Sequence, residues 1–158
     1  MKGDKNVSSA VVSGIEILVE ILLSTPKIPY EKSKTRDSLP LSVQYVSDLI
    51  PKLVPLLDQP SHVKTSTAPK EVLGQKRLKV AELLDALVKV EYQYVDAVLT
   101  SNKAFIKLLK LFFKFENNNV LQRIVTNTFL KIFRGPSDKL KQYVRFVLLA
   151  FSFPGFIL

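Results

Sequence analysis

The sequence predicts an all-α fold of about seven helices, and three observations support it. Apolar residues recur at intervals of three and four over most of the chain, which is the spacing of one helix face. Glycine is scarce, at 5 of 158 residues, and such a composition favours helix over a turn-rich β-sandwich. No segment shows the alternation of apolar and polar residues that is typical of strands. We expect one domain over residues 1–158, since a chain of this length can bury a single core.

The first helix is predicted from about Ser9 to Thr25. Ser8 or Ser9 is suited to cap its start, and Pro26 stops it. Apolar residues occur on most of its faces, which is typical of a helix that is buried between neighbours. We therefore expect this helix to lie inside the fold.

Two polar segments, residues 26–40 and 59–70, are rich in Pro, Ser and charge, and are predicted to be loops. Residues 41–58 between them have helical spacing but contain two prolines. An interior proline loses a hydrogen bond and clashes with the preceding turn. We expect this helix to break or bend near Ile50 and to continue from Pro51 as an N1 residue.

The strongest helical signal is a hairpin from Lys103 to Phe133. Its two apolar halves meet at a polar corner, Glu116–Asn119. Asparagine tolerates the left-handed backbone that ends helices, and it also caps helix starts. A long helix over residues 72–90 and a short one over residues 92–101 are predicted to precede this hairpin.

Polar residues predict where the C-terminal helices begin and end. One of the polar residues at 100–102 is expected to cap the first helix of the hairpin. Gly135 is expected to end the second helix in the C′ position, and Ser137 to cap a last helix that reaches about Phe151.

Helix pairs follow one another at roughly the 40-residue period of armadillo and HEAT repeats. We therefore predict an armadillo/HEAT-like right-handed α-solenoid, with a compact bundle as the alternative because the repeats are only weakly similar to one another. Solenoids end on polar caps, whereas residues 137–158 are strongly apolar. The chain is interpreted as part of a solenoid whose C-terminal helix is truncated.

The net charge of +9 allows binding to anionic partners. The basic residues are scattered, however, and no run of five or six appears, so nucleic acid is not an expected partner. Cysteine is absent, which excludes disulfides and thiolate catalysis. Its absence also fits a cytoplasmic location, with a nuclear fraction allowed.

Candidate catalytic residues are few. His62 is the one histidine, and it is interpreted as a solvated loop residue because no carboxylate or cysteine adjoins it in sequence. Glu82 and Asp85, three residues apart on a predicted helix, are interpreted as solvated charge. No closely spaced set of metal ligands and no glycine-rich phosphate loop is present in the sequence. We therefore expect no enzyme, and no metal or other cofactor.

Three short blocks stand out. The first is VVSGI at residues 11–15 before an apolar run, and the second is LGQKRL at residues 73–78. The third is LFFKF at residues 111–115, followed by NNVL at residues 118–121. Their order and spacing resemble the SAPS domain of the regulatory subunits of serine/threonine protein phosphatase 6. The resemblance covers residues 7–134, and the family's domain is several times longer than this chain.

The chain departs from the family pattern at two positions. Asn117 stands where the family commonly has Trp, and Gln122 stands where it commonly has His. A packing layer built on the Trp, or a partner contact made by the His, must therefore differ here.

The resemblance implies a non-catalytic regulatory or scaffold subunit. Such subunits bind the phosphatase 6 catalytic subunit and direct it to substrates, and an ankyrin-repeat protein is the implied third subunit. Five residues in or beside the second and third blocks are the candidate partner-binding residues: Arg77, Lys114, Asn118, Asn119 and Gln122.

Two other functions are open on the sequence. One is a general helical-repeat adaptor or trafficking scaffold. The other is a protein that is held at membranes by its apolar tail, residues 144–158. A spanning helix needs about 20 apolar residues, and this tail contains Arg145, Pro154 and Gly155, so a membrane is not the expected partner.

Overall fold

The computed structural model describes the backbone of residues 2–153 and the side chains of residues 7–153. The prediction of an all-α class is confirmed for the described residues, most of which are helical. Residues 154–158, the end of the predicted apolar tail, lie outside them. The helices are α1 Lys2–Ser24, α2 Leu41–Leu53, α3 Gln75–Lys89, α4 Gln93–Ser101, α5 Ala104–Lys114, α6 Asn119–Arg134 and α7 Asp138–Ser152.

The helices form two rows. In the first row, α3 lies between α1 and α6 and packs against both. In the second row, α2 packs against α4, α4 against α5, and α5 against α7, while α2, α5 and α7 also contact first-row helices. One continuous core fills the space between the rows, and its large, fully buried side chains include Ile15, Leu22, Ile50, Leu84, Leu87, Tyr92, Phe105 and Leu121.

The prediction for the first helix was wrong in two respects. Helix α1 begins at Lys2, well before the proposed cap. It is also buried on only one side: Ile15 and Leu22 lie in the core, whereas Ile17 is 61% exposed. Helix α1 is exposed on its other side because it lies at the end of its row. Its main packing partners are α2 and α3. Its segment Val7–Ser24 is long and apolar enough to cross a membrane, a test that soluble core helices and signal sequences also pass.

Helix α2 is not broken at Ile50, and Pro51 lies inside it rather than at the start of a new helix. It continues through Pro51 to Leu53 and then tightens into a 3₁₀ helix, Val54–Asp58. The α-helix changes to a 3₁₀ helix next to Pro55, which lies in the first turn of the 3₁₀ helix. Proline is tolerated there because an N–H in the first turn has no partner within the helix.

The first predicted loop is held firmly against the helices. It contains two single-turn 3₁₀ helices, Tyr30–Lys32 and Arg36–Ser38. Ser33 is fully buried, and its Oγ accepts a hydrogen bond of 2.8 Å from the backbone N–H of Gln93. The Arg36 guanidinium donates to both carboxylate oxygens of Asp48 on α2, at 3.0 and 2.6 Å.

The second predicted loop contains a short antiparallel ribbon, so the expectation of no strand was wrong. Strand β1, Ser61–Val63, pairs with β2, Lys70–Val72. His62 therefore lies directly opposite Glu71 rather than in an irregular loop. Strands of three residues are too short for an alternating pattern to be recognised in the sequence.

The predicted helix ends were partly correct. Ser137 caps α7, since its hydroxyl accepts from the N–H of Leu140 at 3.1 Å. Gly135 ends α6, but its φ of −75° is not left-handed, so the predicted C′ motif is absent there. The cap of α5 is Lys103, with φ 56°, and none of the polar residues at 100–102 takes that place.

Asp85 is not the solvated charge that the sequence indicated. It is buried, accepts a hydrogen bond of 2.9 Å from the Thr128 hydroxyl, and forms an ion pair with Lys89 at 2.5 Å. Helix α6 packs across α3 and covers this face. Glu82 is half-buried and pairs with Lys79 at 2.8 Å.

Candidate partner-binding corner

Four of the five predicted partner-binding residues contact Phe115, where α5 gives way to α6. Arg77 and Lys114 lie over its ring, and the Asn118 N–H and the Gln122 amide donate to its carbonyl; Asn119 follows next in the chain. We call this group the Phe115 corner; it comprises Arg77, Lys114, Phe115, Asn118, Asn119 and Gln122. Two of the sequence blocks thus meet at one place, because Arg77 belongs to LGQKRL and Phe115 to LFFKF.

The start of α3 positions Arg77, and it requires a glycine. Gly74 caps the helix with φ 77°, a left-handed conformation that side chains rarely adopt. A Cβ at this position would approach the Ser61 Oγ on β1 to 2.3 Å. Gly74 therefore lets the ribbon lie directly against the first turn of α3.

Arg77 is almost completely buried, at 2% exposure, and its guanidinium is used within the chain. Its Nε donates to the Leu73 carbonyl at 2.7 Å, and one terminal nitrogen donates to the Val72 carbonyl at 2.6 Å. The other terminal nitrogen pairs with Glu71 at 3.1 Å. The planar group also lies over the Phe115 ring, 5.1 Å from its centre. Arg77 thus joins β2, α3 and the end of α5, and it is a structural part of the corner.

Lys114 is half-exposed and approaches the same carboxylate from the solvent side. Its ammonium lies 2.7 Å from the second Glu71 oxygen and 5.8 Å from the centre of the Phe115 ring. The hydrogen bond from Lys114, and then that from Arg77, outweigh desolvation and hold the pKa of Glu71 below its usual range. Glu71 therefore remains charged and bridges the two cations.

The asparagine turn is confirmed as a helix cap. The Asn118 Oδ1 accepts from the N–H of Leu121 at 3.0 Å, and Asn119 is the exposed first residue of α6. Gln122 reaches back to α5, where its amide donates to the carbonyl of Phe112 at 2.8 Å and more weakly to that of Phe115 at 3.3 Å. Gln122 thereby supplies a donor to carbonyls at the end of α5, where the helix itself leaves carbonyls without hydrogen-bond partners.

Replacing Asn118 by Ala is expected to lower the free energy of unfolding by about 1 kcal/mol, because one N–H of the first turn of α6 loses its acceptor. Urea unfolding followed by circular dichroism measures the change. Asn118→Asp keeps the acceptor and should stay within about 0.5 kcal/mol of the parent. Equal losses in the two variants would contradict the capping role.

A shallow groove of about 330 Å³ adjoins the corner. Its apolar floor includes Leu57, Pro60 and Leu111, and Lys110 and Lys114 lie on its rim with Asp58. Such an arrangement can hold an apolar side chain of a partner while the lysines contact carboxylates beside it. Within residues 2–153, no three His, Asp or Glu side chains are placed so that they could hold a metal ion.

Two members of this site were missed in the sequence. Glu71 was assigned to no site, because the ribbon that brings it beside Arg77 could not be recognised. Phe115 was also assigned to no site, although two cations lie over its partly buried ring. The aromatic–basic alternation in LFFKF was the one available signal.

No family model, curated protein or solved structure matches this chain.

Proposed function

We propose that this chain is a non-catalytic helical-repeat subunit that binds a serine/threonine phosphatase catalytic subunit of the phosphatase 6 type and directs it to substrates. The observation that carries the proposal is the contact between Arg77 and Phe115. These residues belong to two of the three blocks that resemble the SAPS domain and lie 38 positions apart in the chain. They meet in one corner together with the asparagine cap.

The order of the helices supports the repeat architecture that this proposal needs. The first row contains α1, α3 and α6, and the second contains α2, α4, α5 and α7. Two such rows are expected when helix pairs stack on one another. In a solenoid of this kind, binding is achieved by the area and shape of a surface rather than by a reactive group.

A row of lysines leads along α5 to the Phe115 corner. Lys103 caps the helix, and Lys107, Lys110 and Lys114 follow it at intervals of three and four residues. Lys107 pairs with Asp58 and Lys114 with Glu71, whereas Lys110 lies exposed between them on the rim of the groove. This row suits an acidic patch on a partner protein.

The test is capture of purified phosphatase 6 catalytic subunit by the immobilised chain. The double substitution Lys110→Glu with Asn119→Ala should weaken capture at least about tenfold, since it places a negative charge against an acidic partner. Lys52→Glu makes the same charge change at an exposed position on α2 and should leave capture unchanged.

Absence of binding by the parent chain would reject the proposal, as would equal losses in the two variants. A different protein recovered stoichiometrically from cell extract would favour the general adaptor instead. Membrane fractionation with and without residues 144–158 tests the remaining alternative, in which the tail holds the protein at membranes.

A further inference from the structure

The outer face of α1 is apolar and has no partner within the described part of the chain. Val7, Ala10, Gly14, Ile17 and Ile21 follow one another at intervals of three and four, so they form one stripe along the helix. Val7 is 64% exposed and Ile17 61%. The stripe is continuous with a groove of about 550 Å³ that is lined by Ile17 and Ile21 and edged by Glu16 and Glu20.

The other end of the two rows also exposes apolar side chains. On α7, Phe146, Leu149 and Phe153 follow at intervals of three and four and are 56%, 58% and 63% exposed. Leu130 on the neighbouring α6 is 44% exposed. Together with the α1 stripe, these side chains place large apolar surfaces at opposite ends of the fold.

Most of the net positive charge of the chain lies in residues 103–158, which include α5, α6 and α7. Residues 103–158 carry ten Lys and Arg against two Asp and Glu, a net charge of +8, whereas residues 1–102 carry thirteen against twelve, a net charge of +1. At the α6–α7 end, Arg123, Arg134 and Lys139 are exposed, and the Arg145 guanidinium lies 6.0 Å from the centre of the Phe133 ring. The groove on α1 is instead lined by three glutamates and one lysine.

We propose that the occupant of the α1 face is a second copy of this chain, which docks its α6–α7 end there in a head-to-tail arrangement. Phe146 and Leu149 of one copy would enter the apolar groove of the next, beside Ile17 and Ile21. Arg145 and Lys139 would then lie near Glu16 and Glu20 of the groove edge. In this head-to-tail arrangement, opposite charges surround the two apolar surfaces. Pairing of two α1 faces is disfavoured, because it would bring the glutamates of both copies together.

A membrane fits the α1 face less well. Anionic lipid attracts basic residues, whereas the groove beside the exposed stripe has three glutamates and a single lysine, Lys79, which is already paired with Glu16 and Glu82. A head-to-tail contact is heterologous and leaves one free face at each end, so it predicts assemblies that grow with concentration rather than a closed dimer. This inference does not depend on the proposed phosphatase partner.

Sedimentation velocity of the full chain, titrated from about 1 µM to about 1 mM, tests the proposal. The weight-average sedimentation coefficient should rise steadily with concentration and should fall when NaCl is raised from about 50 to about 500 mM. Ile17→Lys places a charge on the apolar surface of α1, and Phe146→Glu places one on the apolar surface of α7. Each substitution disrupts one of the two contact surfaces. Because both side chains are exposed, each variant should fold normally by circular dichroism and associate at least about tenfold more weakly than the parent.

Mixing the two variants provides the decisive measurement. Each variant retains one intact face, so an equimolar mixture should form a 1:1 dimer and nothing larger. A parent chain that stays monomeric at about 1 mM would overturn the proposal. Loss of association in only one of the variants would also overturn it, because that result indicates a symmetric contact. A mixture that remains monomeric while the parent associates would do the same.

Discussion

Replacing Asp96 by Asn is expected to stabilise the fold at pH 8 and to leave it nearly unchanged at pH 4. Asp96 lies in the first turn of α4 and is only 8% exposed. Its Oδ2 accepts one hydrogen bond, of 3.0 Å, from the Tyr30 hydroxyl. Burial raises the pKa of Asp96 to about 7, since this hydrogen bond only partly offsets the desolvation and Glu91 adds a like charge nearby.

The sign of the effect follows from the two protonation states. In the unfolded chain the carboxyl has its ordinary pKa of 3.8, whereas in the folded chain its pKa is about 7. The stability that protonated Asp96 gives the folded state is therefore fully present below about pH 4. This stability is lost as the pH rises through 7. One pKa unit corresponds to about 1.4 kcal/mol, so a charged Asp96 destabilises the fold by up to about 4 kcal/mol at pH 8.

Urea unfolding of the parent and of Asp96→Asn at pH 4, 6 and 8 measures this effect. The asparagine should raise the free energy of unfolding by about 2–4 kcal/mol at pH 8 and by less than about 1 kcal/mol at pH 4. The difference between the two proteins isolates Asp96 from other carboxylates, such as Asp48, whose pKa is lowered by the hydrogen bond from Arg36.

Tyr30→Phe is the matched control, because it removes the only side-chain donor that stabilises the charged form of Asp96. Burial raises the pKa of Tyr30 itself to about 12, so its hydroxyl stays protonated over the range tested. The phenylalanine variant should therefore lose more stability at pH 8 than at pH 5. A difference between the parent and Asp96→Asn that is the same at pH 4 and pH 8 would contradict the assignment.

Arg77→Ala is expected to lower the free energy of unfolding by about 3 kcal/mol. The substitution leaves the Val72 and Leu73 carbonyls without their donors, removes one of the two cations beside Glu71, and takes the guanidinium from the Phe115 ring. Thermal and urea unfolding at neutral pH measure the loss.

Arg77→Lys separates the charge of this residue from its shape. An ammonium can replace one contact to Glu71 but cannot reproduce the planar fork that reaches two carbonyls and a carboxylate together. We expect it to recover less than half of the stability that Arg77→Ala loses. A lysine variant as stable as the parent would show that only the charge matters at this corner.

The helical hairpin could be predicted well from the sequence, and the corner beside it only in part. The apolar spacing from Lys103 to Phe133 and the run of asparagines are local signals, and α5, α6 and the Asn118 cap agree with them. Arg77 was chosen from the resemblance, but its burial depends on Glu71, which the ribbon brings beside it. A contact of that kind has no local signal.

By itself, the sequence determined the helices, the positions of most of their ends and the caps at Asn118 and Ser137, because periodicity and capping act over a few neighbouring residues. The tertiary structure decided which of the apolar and charged residues became buried. It placed Asp85 and Asp96 in the interior and left Ile17 and Phe146 exposed. Burial depends on which helices lie next to one another, and that arrangement is set by packing between segments far apart in the chain.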